Sequence, residues 1–401
     1  MVISNRHAVR QRYRQRGRHS DTQPRTIPPH KRLHAPHSQP PGAGPPLHSV
    51  ARGGPSSRLV TRYSLLITHY PSPRRCPITL PPGYTTRPPT LDDAPAVAAL
   101  IAACQAADDT GPTMTADELI GDWAGLNLAE DVVLVVSAAG ELAATADLVN
   151  RRYVQGSVYA YVHPNQRGRG LGSALVRWGE DWLRSRWDRA PQGTRVVVQH
   201  FIRSTYAPAL RLMAAHGYRH VRTIFVMETV LDAAPLPSEL PAGITLRPFV
   251  PGQDERATFD TLEAAFLDSW ERPPGDFDYW LRLTEQERLA PDLWTLAVDE
   301  ASGTIVGTCL GKIAGTGGWI GSVGVRRPWR GRGLALAMLR HTFAAYHRRG
   351  IREIGLSVDS ESSTGAPRLY ARADMRITEQ YLLHRKELRP GTLLTDTTPA
   401  Q

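Results

Sequence analysis

Two stretches of this chain occur twice. Residues 83–88 read Gly-Tyr-Thr-Thr-Arg-Pro and residues 243–248 read Gly-Ile-Thr-Leu-Arg-Pro, an offset of 160. Arg167-Gly168-Arg169-Gly170-Leu171-Gly172 returns as Arg330-Gly331-Arg332-Gly333-Leu334-Ala335, an offset of 163. Paired landmarks at nearly equal offsets require a duplicated unit of about 150 residues, far longer than the period of a solenoid repeat. A chain of 401 residues has room for two cores of that size. Residues 232–243 carry three prolines among small residues and read as an exposed linker. The expected organisation is a leader over 1–80, one domain over 81–231, a second over 244–390, and a tail over 391–401.

The formal charge of +10 points toward nucleic acid only until its location is examined. Residues 1–80 hold 14 Lys+Arg and one acidic residue, Asp21, so the leader carries +13 and residues 81–401 carry −3. That distribution argues against a nucleic-acid-binding body. The leader also holds 12 prolines and seven histidines, with no apolar run longer than Leu65-Leu66-Ile67, so it is expected to be disordered. Three readings of it stay open: an over-extended coding start, a transit-like segment, or a basic tail. Neither an export signal nor a membrane span is expected. Cys76, Cys104 and Cys309 lie far apart and match no metal-ligand spacing, which fits thiols in a cytoplasmic setting and no bound metal.

Periodicity places the same order of elements in both units. In the second, strands are expected over 245–248, 293–299, 305–313, 319–325, 354–358 and 381–387. Helices are expected over 254–266, 277–284, 334–349 and 366–373. In the first, strands are expected over 132–137, 141–149, 157–162 and 195–199, with helices over 171–184 and 206–215. The fold class is therefore α+β, two tandem domains each with a mixed, mostly antiparallel sheet flanked by helices.

In each unit an apolar strand runs into an Arg/Gly loop and then an amphipathic helix. Glycines let backbone N–H groups turn toward a diphosphate, and the helix start behind them adds unpaired donors and the positive end of its dipole. Neither loop has the spacing of a dinucleotide fingerprint or a P-loop. The R-x-x-G-x-G/A pattern resembles the coenzyme A loop of the Gcn5-related N-acetyltransferase (GNAT) family. The resemblance implies acetyl-coenzyme A as acyl donor, held by Val323, Gly324, Val325, Arg330, Gly331, Arg332, Gly333, Leu334 and Ala335. In the first unit it implies Val162, Arg167, Gly168, Arg169, Gly170, Leu171 and Gly172.

The stretch from Val358 to Met375 resembles the family's segment in which a helix bears a Leu-Tyr pair. That likeness makes Tyr370 the acid for the departing thiolate, although Ser362 stands where the family has Asn and Asp374 where Gly is common. Aligning His216-Gly217-Tyr218 with Ala373-Asp374-Met375 puts Met213 opposite Tyr370, and a thioether cannot donate a proton. The second unit is accordingly expected to be the catalytic one. The tandem layout is similar to that of mycothiol synthase, but the glutamate which that family carries on the strand before the loop falls at Trp319 here.

The base stays open between Asp359, Glu263, Asp268, Glu271 and a water chain. The aromatics Phe266, Trp270, Phe277, Tyr279 and Trp280 line an acceptor pocket or pack a core. The acceptor is a small-molecule or peptide amine. The rival reading is a non-catalytic acyl-coenzyme A sensor.

Overall fold

A computed structural model describes residues 76–108, 114–285, 287 and 290–394. The disorder expected for the leader falls almost wholly outside these residues, as does the end of the tail. The first half runs β1 (Tyr84–Arg87), α1 (Ala94–Ala107), α2 (Ala116–Trp123), α3 (Leu128–Asp131), β2 (Val132–Ser137), β3 (Leu142–Arg151), β4 (Gln155–Val162), α4 (Leu171–Arg184), β5 (Val196–Arg203), α5 (Ala207–Ala215) and β6 (Arg219–Val230). The second runs β7 (Ile244–Pro248), α6 (Glu255–Ala265), α7 (Phe277–Leu283), β8 (Trp294–Asp299), β9 (Ile305–Ala314), β10 (Gly317–Val325), α8 (Leu334–Arg348), β11 (Glu353–Asp359), α9 (Ala366–Ala371) and β12 (Arg376–Arg389).

All twelve strands join one sheet in the order β1-β2-β3-β4-β5-β12-β6-β11-β10-β9-β8-β7. The order is palindromic, and its centre is an exchange. The last strand of each half leaves its own half: β6 pairs with β11, and β12 pairs with β5, both antiparallel. The two exchanged strands also pair with each other. The chain end follows β12 across, so Leu388 and Leu394 pack into the first-half core.

The first shared landmark has a physical reason. Arg87 forks onto Asp93 at 2.6 and 2.7 Å, ahead of α1. Arg247 makes the matching fork onto Asp254 at 2.5 and 2.8 Å, ahead of α6. Each pair ties the entry strand of its half to the first helix by a bidentate, charge-assisted contact.

The fold begins earlier than the sequence suggests. Cys76, Ile78 and Leu80, expected in the leader, pack on the first-half core. Prolines interrupt that run, which hides its apolar alternation. The three cysteines are free thiols. No helix among the described residues is long and apolar enough to cross a membrane.

Candidate functional site

The site follows from where two parallel strands separate. β10 and β11 pair only from Gly318↔Ile354 to Ile320↔Leu356, after which they splay. On its other edge β10 keeps pairing with β9 through Val325↔Gly307, across a bulge between Ile320 and Ser322. The edge of 321–325 that faces β11 is thus left without a strand partner, and a cleft of about 620 Å³ opens there. Val323, Gly324 and Val325 form one wall, the Arg/Gly loop closes one end, and Tyr370 reaches in from α9. The first half splays likewise, with β4 and β5 paired only from Gln155↔Val197 to Ser157↔Gln199.

Both Arg/Gly loops fold alike. Gly331 and Gly333 take φ of 76° and 80°, and Gly168 and Gly170 take 76° and 84°, the left-handed region that costs an L side chain about 1–2 kcal/mol. Gly333 and Gly170 are the N-caps of α8 and α4. An added Cβ would meet nothing within 4 Å at Gly331 or Gly333, so the space over the second-half loop is open. At Gly170 it would lie 3.3 Å from Pro81 Cγ. The first-half loop is further tied down by Tyr84, which donates to Gln166 Oε1 at 2.7 Å.

The loop arginines divide their work differently from the sequence expectation. Arg330 donates to Val325 O at 3.0 Å, Asp268 Oδ2 at 2.6 Å and Ala265 O at 2.8 Å, so it holds the loop against α6. Arg167 does the same in the first half, donating to Val162 O at 3.3 Å and forking onto Asp108 at 2.7 and 2.8 Å. Their guanidiniums are committed to the scaffold. Arg332 is exposed, its guanidinium 5.0 Å from the Trp329 ring centroid, and remains able to meet an anion. Leu334 and Ala335 line the cleft at the start of α8. In the first half Arg169 reaches Tyr84 Oη at 3.5 Å, Leu171 is buried in the core, and a Cβ at Gly172 would meet Leu212 at 3.2 Å.

Tyr370 is 7% exposed. Burial, with Cys309 nearby, pushes its phenol well above the ordinary range and keeps it protonated at neutral pH. Among the described residues its hydroxyl makes no hydrogen bond, which leaves the donor for a guest in the cleft. The turn beyond it tolerates the non-glycine: Asp374 sits at φ 59° where the first half has Gly217 at 76°.

Of the four carboxylates considered as base, three are engaged. Glu263 takes Arg272 and the N–H of Gly275, both by hydrogen bond. Asp268 is held by Arg330 and Arg327, which lower its pKa. Glu271 bridges Arg195 and Arg385. Asp359 is engaged more loosely: it is buried at the end of β11, lines the cleft, accepts from Glu361 N through Oδ1 at 2.9 Å, and has Arg222 Nε 3.9 Å from Oδ2. Trp319 is packed on Gly355 as a core residue.

The aromatic run splits between the two readings. Phe277 and Trp280 join Phe259 and Trp294 in a core under β8 and β9. Trp270 lines the cleft, and Phe266 lies between the two, packed on that core and lining the cleft. Among the cleft residues not anticipated from the sequence is Arg222, which comes from the exchanged β6 of the first half.

A duplicated splayed sheet with an Arg/Gly loop before a helix in each half, and an open cleft at the second of these loops, is the layout of a tandem acyltransferase. The model of the "Acetyltransferase (GNAT) family" matches residues 101–218 and 256–375, and the chain belongs to that family as an acetyltransferase. It is similar to the mycothiol acetyltransferase of Thermobispora bispora, 35% identical over 217 residues covering 52% of this chain and 68% of the relative. The mycothiol acetyltransferase of Frankia alni is 30% identical over 323 residues, covering 72% of this chain and 90% of the relative. A solved GCN5-related N-acetyltransferase from Sphaerobacter thermophilus is 57% identical with a TM-score of 0.69, covering 79% of this chain and all of that one.

Proposed function

We propose that the second-half cleft transfers an acetyl group from acetyl-coenzyme A to a small-molecule amine by direct attack with both substrates bound. The observation that carries this reading is the convergence of a coenzyme loop, an unpaired strand edge and a protonated Tyr370 in one cleft. The exposed backbone at the left-handed glycines and the start of α8 would hold the diphosphate. Backbone N–H groups of 323–325 would hold the thioester oxygen as charge develops on it.

Asp359 takes one proton from the entering ammonium and passes it to solvent. The freed amine attacks the acetyl carbonyl, so a C–N bond forms and the C–S bond then breaks. Tyr370 gives its proton to the departing thiolate sulfur. The proton shed by nitrogen as the amide forms refills the phenol. The net change is ammonium plus thioester to amide, thiol and one released proton. Alignment of the two substrates in one cleft supplies much of the rate.

The first half keeps the loop but has Met213 at the acid position and Pro81 over Gly170, so it acts as a non-catalytic partner. The two copies are proposed to span residues 76–231 and 244–390, the first extended from its expected start at 81 to take in Cys76, Ile78 and Leu80, with their last strands exchanged. Three free thiols fit work in the cytoplasm.

The names of the relatives make a mycothiol precursor one acceptor to include, although Trp319 stands where that family's glutamate is placed. An amine panel with acetyl-coenzyme A, read by free thiol release, tests the proposal. No thiol released above the hydrolysis blank with any amine would sink it.

A further inference from the structure

Arg222 is carried into the second-half cleft by a strand of the first half. Its Nε stands 3.9 Å from Asp359 Oδ2, its side chain is 17% exposed, and one Nη donates to Glu361. The guanidinium lies 4.6 Å from the Trp270 ring centroid. Trp270 is in turn 4.4 Å from Arg385 of β12. Glu271, next in sequence, bridges Arg385 and Arg195. The exchanged strands therefore fix both Arg222 and the loop that faces it.

Two features of this corner are unfinished. Arg222 Nε is buried without a hydrogen-bond partner. Asp359 Oδ2 accepts no hydrogen bond among the described residues, its nearest cation being Arg222 at 3.9 Å. A buried donor left unpaired is unfavourable, and an oxygen brought to the guanidinium relieves it. Glu271 takes up the charge of Arg385 and Arg195, so Asp359 and Glu361 are the carboxylates that face Arg222, and the open oxygen of Asp359 suits an incoming ammonium. An ammonium on Asp359 and an oxygen on Arg222 would then bind to groups only 3.9 Å apart, so they must be close in the guest as well.

We infer that the acceptor is a vicinal N,O amine, with its nitrogen and a carbonyl or hydroxyl oxygen on adjacent carbons, and that Arg222 selects it by binding that oxygen. The inference rests on the acyl-transfer reading for the identity of the cleft, but binding tests it apart from turnover.

Titration calorimetry on the full chain loaded with coenzyme A would compare L-alaninamide and ethanolamine, which have vicinal N and O, with β-alaninamide and isopropylamine, which do not. The wild type is expected to bind the vicinal pair about tenfold more tightly or better, a preference worth about 1.4 kcal/mol. In Arg222→Met the preference falls to within about twofold, while Arg222→Lys keeps part of it, and coenzyme A affinity and melting temperature report that the fold is intact. Equal binding of all four amines by the wild type, or an undiminished preference in Arg222→Met, overturns the inference. A preference for alaninamide alone places a carbonyl at Arg222, and a shared preference places any oxygen there; both support it. Preferential binding without acetyl transfer would retire the acyl-transfer reading and leave Arg222 as the selecting residue.

Discussion

Met213 and Tyr370 occupy the same rung of the two halves: Tyr218 N donates to Met213 O at 3.0 Å, and Met375 N donates to Tyr370 O at 3.1 Å. The backbone bond is the same in the two copies and the side chain on it is not. Tyr370→Phe is expected to lower turnover about 100-fold with coenzyme affinity near wild type, as when a contact made mainly in the transition state is lost. Unchanged turnover would make Tyr370 a packing residue.

The glycine pair separates the halves with a built-in control. Gly333→Glu and Gly170→Glu each force a side chain to positive φ, which should cost about 1–2 kcal/mol in stability at either site, with a further loss at Gly170 where the new Cβ crowds Pro81. Only Gly333→Glu also sets a carboxylate where the diphosphate is proposed to sit, and it should abolish transfer. Gly170→Glu should keep most activity, since Pro81 already stands over that loop. The reverse pattern would assign the active site to the first half.

Truncation should show a sharp boundary. Starting the chain at residue 76 is expected to leave the melting temperature unchanged. Starting it at residue 82 removes Ile78 and Leu80 from the first-half core and should cost about 2–3 kcal/mol, at roughly 1–1.5 kcal/mol for each partly buried aliphatic side chain. Equal stability of the two truncated chains would show that 76–81 contribute nothing.

His200 gives the fold a pH dependence. It is buried between β12 and the Glu180 and Tyr218 side, with His384 and His216 nearby, and burial lowers its pKa to about 4. The unfolded chain, with an ordinary value near ~6.5, binds more protons than the folded one between about pH 6.5 and 4. Stability should therefore fall as pH drops through that window. Urea titrations at pH 7 and 4.5 should show wild type losing up to about 3 kcal/mol more than His200→Gln. Parallel losses in the two proteins would exclude His200 as the cause.

Much of the site was legible because it is local. The left-handed glycines, the strand before them and the helix after them lie within a few residues, and α4 matches its expected span of 171–184. The ion pairs were not legible. Arg330 reads as a phosphate ligand beside its glycines, while its partner Asp268 is 62 residues away. β6 went unanticipated even though 219–230 alternates in burial over much of its length. The exchange could not be read at all, since β6 and β12 are equivalent strands and side-chain alternation says which face is buried without naming the neighbour.

Each half completes its sheet with a strand that the other half encodes. A cut in the linker at 232–243 would therefore leave two fragments clasped together rather than two free domains, and neither would be whole if expressed alone. A first copy without chemistry of its own would still not be free to be lost from the gene. As long as the second copy catalyses with Arg222 at its cleft, inheritance must carry both.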